Sequence, residues 1–174
     1  INVQAVSDFS AGLRHMAGQA DLTLNAPGPG FNNAWYARLS MAPNVAIAAP
    51  EIHLQAILIQ PAHQQPLQIL GIDAFQAARM GQPLIPLNLR SPQALLDPLN
   101  IALSSPAMQK LNVHTGDFIT VNADGIPRRL RVIGTLPAVP GVGVMGVMDI
   151  AAVQWLWGRG HEINQVDLRL QPGI

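Results

Sequence analysis

The stretch "DFITVNADGIPRRLRVIGTL", Asp117 to Leu136, constrains the fold more than any other part of the chain. Two strand-like runs flank Asp124-Gly125, a pair suited to the left-handed dihedrals of a two-residue type I′ turn. A turn of that length fixes the register of both flanking strands. The segment therefore predicts an antiparallel hairpin, and the rest of the chain has to supply partners for it.

The surrounding punctuation sorts the other elements. Val6, Phe9, Leu13 and Met16 recur at steps of three and four, which predicts an amphipathic helix over 3–17. "ADLTLN" alternates as a strand with Leu22 and Leu24 facing in, and "APGPG" (Ala26 to Gly30) breaks the chain. A second helix carries Phe31, Ala34, Trp35 and Leu39 on one face and closes at Pro43 and Asn44. Val45 to Ile59 reads as an extended run interrupted by Pro50, in which Ile52, Leu54, Ala56 and Leu58 alternate with Glu51, His53 and Gln55. "QPAHQQP" is a loop and "LQILGID" a further strand. Helix and strand alternating in this order are the grammar of an α+β layer.

From Asp73 the prolines crowd in, at 83, 86, 92, 98 and 106, and mark short elements. Ser91-Pro92 and Ser105-Pro106 predict helix starts, with serine as the cap and proline in the first turn. Asp149 caps a helix through "IAAVQWLWG", on which only one of Trp155 and Trp157 can face the core. "INQVDLRL" ends the chain as a strand with Val166, Leu168 and Leu170 facing one way.

Composition excludes several function classes. Ten basic and ten acidic residues in 174 give no net charge, so the basic excess that nucleic-acid binding requires is missing. The absence of cysteine rules out disulfides, thiol chemistry and cysteine-held zinc. The most apolar stretch, Ile133 to Met148, is broken by Pro137, Pro140 and glycines and falls short of the roughly 20 residues of a membrane span. A start at Ile1, without a leader pattern, suggests a piece of a larger protein.

One motif invites a cofactor reading. Gly141-x-Gly143-x-x-Gly146 has the spacing of the dinucleotide fingerprint, with Asp167 about 20 residues on. The context contradicts it. Pro137 and Pro140 separate the preceding strand from Gly141, and the residues after Gly146 are extended until the cap at Asp149. Asp167 falls in mid-strand, and no helix N-terminus meets the glycines to receive a pyrophosphate. The reading is a glycine-rich loop, with no cofactor.

Other chemistry is equally sparse. No serine stands in G-x-S-x-G, and Ser7, Ser10, Ser40, Ser91, Ser104 and Ser105 read as helix surface or caps. His15, His53, His63, His114 and His161 are scattered, without ligand spacing, although His161-Glu162 begins a metal motif. The acids are dispersed at caps and turns, so paired carboxylates are not expected. No catalytic or metal residue is assigned. The one basic cluster is Arg128, Arg129 and Arg131, a solvated hairpin arm or a partner-contact patch. On a strand, Arg129 and Arg131 share a face while Arg128 points away.

The ordered pattern resembles a known family. "FSAGLRHMAGQADLTL", "FNNAWYARLSMAPNVAIAAPEI" and "LQILGID" are followed by "SSPAMQKLNVHTGDFITVNADGIPRRLRVIGTL" and "GVMDIAAVQWLWGRGHEINQVDLRLQPG". Together they resemble the extracytoplasmic core domain of FtsX/MacB-type ABC transporter permeases along essentially the whole chain. The resemblance implies an α+β fold of two lobes. A Porter-like α/β lobe would comprise 1–72 and 162–174, and a β-rich Sabre-like lobe would be inserted at 73–161. It implies a domain on the periplasmic side of the bacterial inner membrane, part of an integral membrane protein. A separate cytoplasmic ATPase subunit would drive it, and a periplasmic adaptor, carrier or substrate protein would receive the motion. Such mechanotransmission needs no catalytic residue. The helix over 3–17 would be the lever, the return through "LRLQPGI" the second hinge, and the isolated domain a monomer that binds no nucleotide. The alternatives are a ligand-sensing or adaptor-binding module of another membrane protein, and a soluble enzyme.

Overall fold

The computed structural model describes residues 16–26, 30–61, 63–86, 89 and 91–173. The expected helix over 3–17 lies outside these residues except for its last positions, where Met16 is buried. The strands are β1 (Leu22–Asn25), β2 (Val45–Ile59), β3 (Gln64–Ile72), β4 (Asn100–Leu103), β5 (Phe118–Ala123), β6 (Ile126–Thr135), β7 (Met145–Asp149) and β8 (Gln165–Leu170). The described helices are α1 (Asn33–Ser40), α2 (Ala74–Met80), α3 (Ser105–Leu111) and α4 (Ile150–Leu156), with a 3₁₀ turn at Pro92–Leu96.

All eight strands belong to one sheet, in the order β1-β8-β2-β3-β7-β4-β6-β5, and β5 also pairs with β2. Six strands from β2 round to β5 therefore close a small barrel, and β8 and β1 extend from it as a flap. The length of β2 makes both possible. Its first half, Val45 to Glu51, pairs with β8, and its far end, Ile57 to Ile59, pairs with Thr120 to Asn122 of β5. Along its other edge Glu51 to Ile59 pairs with β3.

The expected hairpin is present. Asp124 and Gly125 have φ of 52° and 78°, the two left-handed residues of the turn, and β5 and β6 pair from Phe118↔Arg131 to Ala123↔Ile126. Two parallel pairings join distant parts of the chain, β3 with β7 and β4 with β6.

The barrel interior is filled by side chains, as expected of so few strands. Leu54, Leu58, Leu67, Ile69, Ile101, Leu103, Val121, Leu130 and Val132 form one buried cluster with Val153 and Leu156 of α4 and the following Trp157. A second cluster packs the outer side of β3, β7 and β4 under α2 and the proline-rich segment, through Leu70, Val147, Ala102, Ala77, Leu84 and Leu95. The flap has its own core, where Val166 and Leu168 of β8 meet Leu24, Phe31, Tyr36 and Leu39.

Several expectations are corrected by this packing. Pro50 does not interrupt β2. Glu51 sends its carbonyl toward β8, where Asn164 N–H donates to it, so the adjacent Pro50 nitrogen faces the β3 side. Pairing with β3 begins only at Glu51, so no ladder bond is lost at the proline. The loop after β2 is shorter than expected, because β3 already begins at Gln64. The second serine cap stands one residue earlier, at Ser104, whose hydroxyl accepts from Ala107 N–H and places Pro106 within the first turn. On α1, Trp35 is exposed with Arg38 over its ring, and Tyr36 packs against the flap core instead. Leu22 is exposed at the sheet edge and only Leu24 turns inward.

Candidate functional site

Two polar features stand out against this apolar frame, one buried and one open. The buried one lies where the flap joins the barrel. Glu51 of β2 is 3% exposed and Asp167 of β8 is wholly buried. The register Ala49↔Asp167 and Glu51↔Gln165 makes the two acids diagonal neighbours on one face. Gln82, just past α2, spans them: its Nε2 donates to Glu51 Oε1 at 3.1 Å and to Asp167 Oδ2 at 2.8 Å. Thr23 of β1 and Gln165 donate to the other Asp167 oxygen at 2.7 Å and 3.0 Å. His53 Nε2 lies 3.2 Å from Glu51 Oε2.

The pair is short of positive charge. Burial, reinforced by the neighbouring Glu51, raises the Asp167 carboxyl to about 6, and the hydrogen bonds from Thr23, Gln165 and Gln82 only partly oppose this. Gln82 Oε1 is itself buried and receives no donor from the described residues. Four segments therefore converge on a cluster whose members are nearly all acceptors or amides. It holds a proton at Asp167 across the mildly acidic range, and it ties β1, β2, β8 and the Gln82 turn together. The expectation that the acids stand dispersed at caps and turns is thus overturned for Glu51 and Asp167. The polar residues of β2 point outward only where that strand has one open face. At Glu51 the segment after α2 covers the second face.

The open feature lies on the outside of the barrel, where the strand pairings place Ile57 and Ile59 of β2 beside Asn122 and Thr120 of β5. Phe118 of β5 and Arg129 and Arg131 of β6 continue the same face. Ile57, Ile59 and Phe118 are 42%, 40% and 56% exposed. The Arg129 guanidinium carbon sits 4.2 Å from the Phe118 ring centroid. Arg128 turns the other way and donates to the Leu156 carbonyl at 2.9 Å, at the end of α4. The alternation read from the sequence therefore places two of the three arginines together and the third elsewhere.

The glycine motif divides into two different structures. Gly141 has φ of 79° in the loop after β6, where a left-handed conformation is needed. Gly146, by contrast, is no loop residue. It lies in β7, and a Cβ there would come within 2.6 Å of Ile101 Cδ1 inside the barrel. No helix begins at these glycines, since α4 waits for its cap at Asp149. Asp167 of the motif is the buried acid of the flap.

Ser7, Ser10 and His15 lie outside the described residues, and several of the remaining candidates have structural partners. Ser104 Oγ donates to the Gly143 carbonyl at 2.7 Å and accepts from Met145 N–H, tying the glycine loop to α3. Ser91 caps the 3₁₀ turn. His161 Nδ1 lies 3.0 Å from Asn33 Nδ2, and His114 contacts Asp117. Among the described residues no three His, Asp or Glu side chains converge as metal ligands. Trp157 is 3% exposed and donates to the Ile126 carbonyl, whereas Trp155 is 71% exposed, which is the division expected of the two tryptophans.

The start of β1 and the end of β8 lie side by side. Asp21 N–H donates to the Leu168 carbonyl at 2.8 Å, and the Asp21 carboxylate accepts from Leu170 N–H at 2.8 Å. Gln171 N–H is held in turn by the Asn44 carbonyl.

No protein-family model matches the chain, and no curated protein sequence matches it. Solved structures do. The extracellular domain of the noncanonic ABC-type transporter YknZ from Gram-positive bacteria superposes with a TM-score of 0.66 at 13% identity, covering 87% of this chain and 83% of that one. The periplasmic region of MacB from Actinobacillus actinomycetemcomitans gives 0.66 at 15% identity, covering 95% and 81%. A permease-assigned domain from Porphyromonas gingivalis gives 0.56 at 15% identity, covering 88% and 66%. At such identities the likeness speaks for the fold. The chain has the mixed α/β fold of the extracytoplasmic domains of MacB- and YknZ-type ABC transporter permeases.

Proposed function

We propose that this chain is the extracytoplasmic domain of such a permease and acts without catalysis of its own. It would pass movements driven by a cytoplasmic ATPase subunit to a protein or substrate outside the inner membrane. The observation that carries this reading is the meeting of the start of β1 with the end of β8. A barrel whose polypeptide arrives at Asp21 and departs at Leu170, joined by direct hydrogen bonds, suits insertion between two neighbouring membrane helices. Motion of those helices would reach the barrel through the flap. In this reading 1–72 with 162–174 and 73–161 form the two lobes, and they meet along the β3–β7 and β2–β5 pairings.

Two measurements on the full-length protein test the proposal. The chain lacks cysteine, so Trp155→Cys provides a single label site within the domain at a residue 71% exposed. A membrane-impermeant maleimide should label it in intact cells, and labelling only after the cells are opened would overturn the placement. A flexible Gly/Ser insert of about ten residues between Pro172 and Gly173 should preserve ATP hydrolysis by the partner subunit but abolish the transport phenotype. A retained phenotype would exclude mechanical coupling through this end.

A further inference from the structure

The outer barrel face described above is chemically one-sided. β2, β5 and β6 contribute Ile57, Ile59, Phe118, Arg129 and Arg131, interleaved with Thr120 and Asn122. Among the described residues of these strands, the one carboxylate of the same strand parity is Glu51, six residues along β2 from Ile57 and buried beneath Gln82. Acids flanking the exposed part are engaged at its margins. The Asp117 carboxylate accepts from His114 N–H at 2.8 Å, and Asp124 pairs with Arg159 at 2.6 Å. The face has no strand edge, because β2 and β5 are bonded to each other. Side chains alone can be recognised there.

The guanidinium of Arg129 is preset by the ring beneath it. With its flat side resting on Phe118 at 4.2 Å, its N–H fork remains available at the rim. An apolar centre with arginines beside it and charged groups of one sign is the anatomy of a protein contact rather than of a solvated strand.

From these features we infer that the Ile57–Phe118–Arg129–Arg131 face docks a protein partner whose contact surface sets carboxylates around an apolar residue. Charge decides between the possible occupants. A second copy of this chain using the same face would bring Arg129 and Arg131 against their own equivalents, since a two-fold contact is self-complementary. A lipid surface is recognised by clusters of roughly four to eight basic residues, against two arginines here. An acidic protein surface satisfies both guanidinium groups and covers the isoleucines and the phenylalanine. The inference stands on this face alone and does not require the mechanical reading of the flap.

The test is photocrosslinking in cells making the full-length protein, with p-benzoylphenylalanine in place of Phe118, and in place of the exposed Trp35 on α1 as control. The expected adduct forms from position 118 but not from position 35. Peptide mapping should place it in a segment of another protein that contains Asp or Glu. Adding Arg129→Glu and Arg131→Glu should lower its yield about tenfold or more, because two like-charge contacts replace two attractive ones. The thermal transition of the purified double variant, unchanged from wild type, shows that the barrel has folded. If the transition falls, Arg129→Gln and Arg131→Gln are used in its place. An adduct to lipid, to a second copy of this chain or to a segment without carboxylates would overturn the inference. So would an adduct indifferent to the arginine changes, or no adduct at all.

Discussion

Replacing Asp167 by asparagine should make the protein more stable at neutral pH and should remove part of its pH dependence. In the unfolded chain this aspartate loses its proton near 3.8, whereas in the folded protein it holds the proton up to about 6. Between these values the folded state binds the extra proton, so stability falls as pH rises. Below about pH 4 the group contributes no penalty, and above about pH 6 the penalty is complete. A shift of about two units at 1.36 kcal/mol each corresponds to about 3 kcal/mol. Asparagine keeps one oxygen to accept from Thr23 Oγ1 and Gln165 Nε2, but its amide meets the Gln82 amide donor-to-donor. Turning Gln82 over would only move the conflict, because its oxygen would then face Glu51 Oε1, to which Nε2 now donates. With about 2 kcal/mol charged to that buried mismatch, a net gain of about 1 kcal/mol remains at pH 7.5. Urea unfolding of both proteins from pH 4 to 7.5 is the assay, and the difference between them isolates this residue from the other carboxylates. The difference should favour the wild type by about 2 kcal/mol at pH 4 and the variant by about 1 kcal/mol at pH 7.5. A difference that stays constant across that range would refute the reasoning, because it would mean that Asp167 titrates alike in both states.

Three other substitutions probe the barrel. Gly146→Ala should cost about 1–3 kcal/mol in urea unfolding, as the new methyl would meet Ile101 Cδ1 at 2.6 Å in a filled interior. Trp157→Ala should cost about 3–5 kcal/mol while Trp155→Ala stays within about 0.5 kcal/mol, since the first is 3% exposed and the second 71%. Acrylamide should accordingly quench most of the Trp155 fluorescence and little of that from Trp157. Gly125→Ala should lower stability by about 1–2 kcal/mol, because φ is 78° at that position.

The local elements were legible wherever a short-range rule decides them. The hairpin followed from Asp124-Gly125 alone, α4 from the Asp149 cap, and the fate of the two tryptophans from helix geometry. What escaped reading depends on which strands become neighbours. Nothing local to Val45–Ile59 announces that one strand serves the flap with its first half and the barrel with its second. The parallel β3–β7 and β4–β6 pairs bridge large sequence separations that no turn signal spans. For the same reason the acid pair stayed hidden. Glu51 and Asp167 look solvated by alternation, and only Gln82, brought over by α2, encloses them. No local signal marked Asp167, which shares its strand face with Gln165 and Arg169 and so reads as solvated. The arginine face was half legible. Alternation paired Arg129 with Arg131, but Ile57 and Phe118 joined them only through barrel closure.

The adjacent start of β1 and end of β8 determine how the flap responds to a pull between them. A load that separates Asp21 from Leu170 acts at one end of an antiparallel pair, so it opens the β1–β8 ladder from Leu22↔Leu168 toward Asn25↔Gln165, one rung at a time. Peeling of this kind needs little force, and Thr23 would release its bond to Asp167 in the course of it. A load that moves both ends together leaves every rung intact and carries the barrel as a single body. The flap is therefore compliant toward separation of the two ends and stiff toward their joint movement.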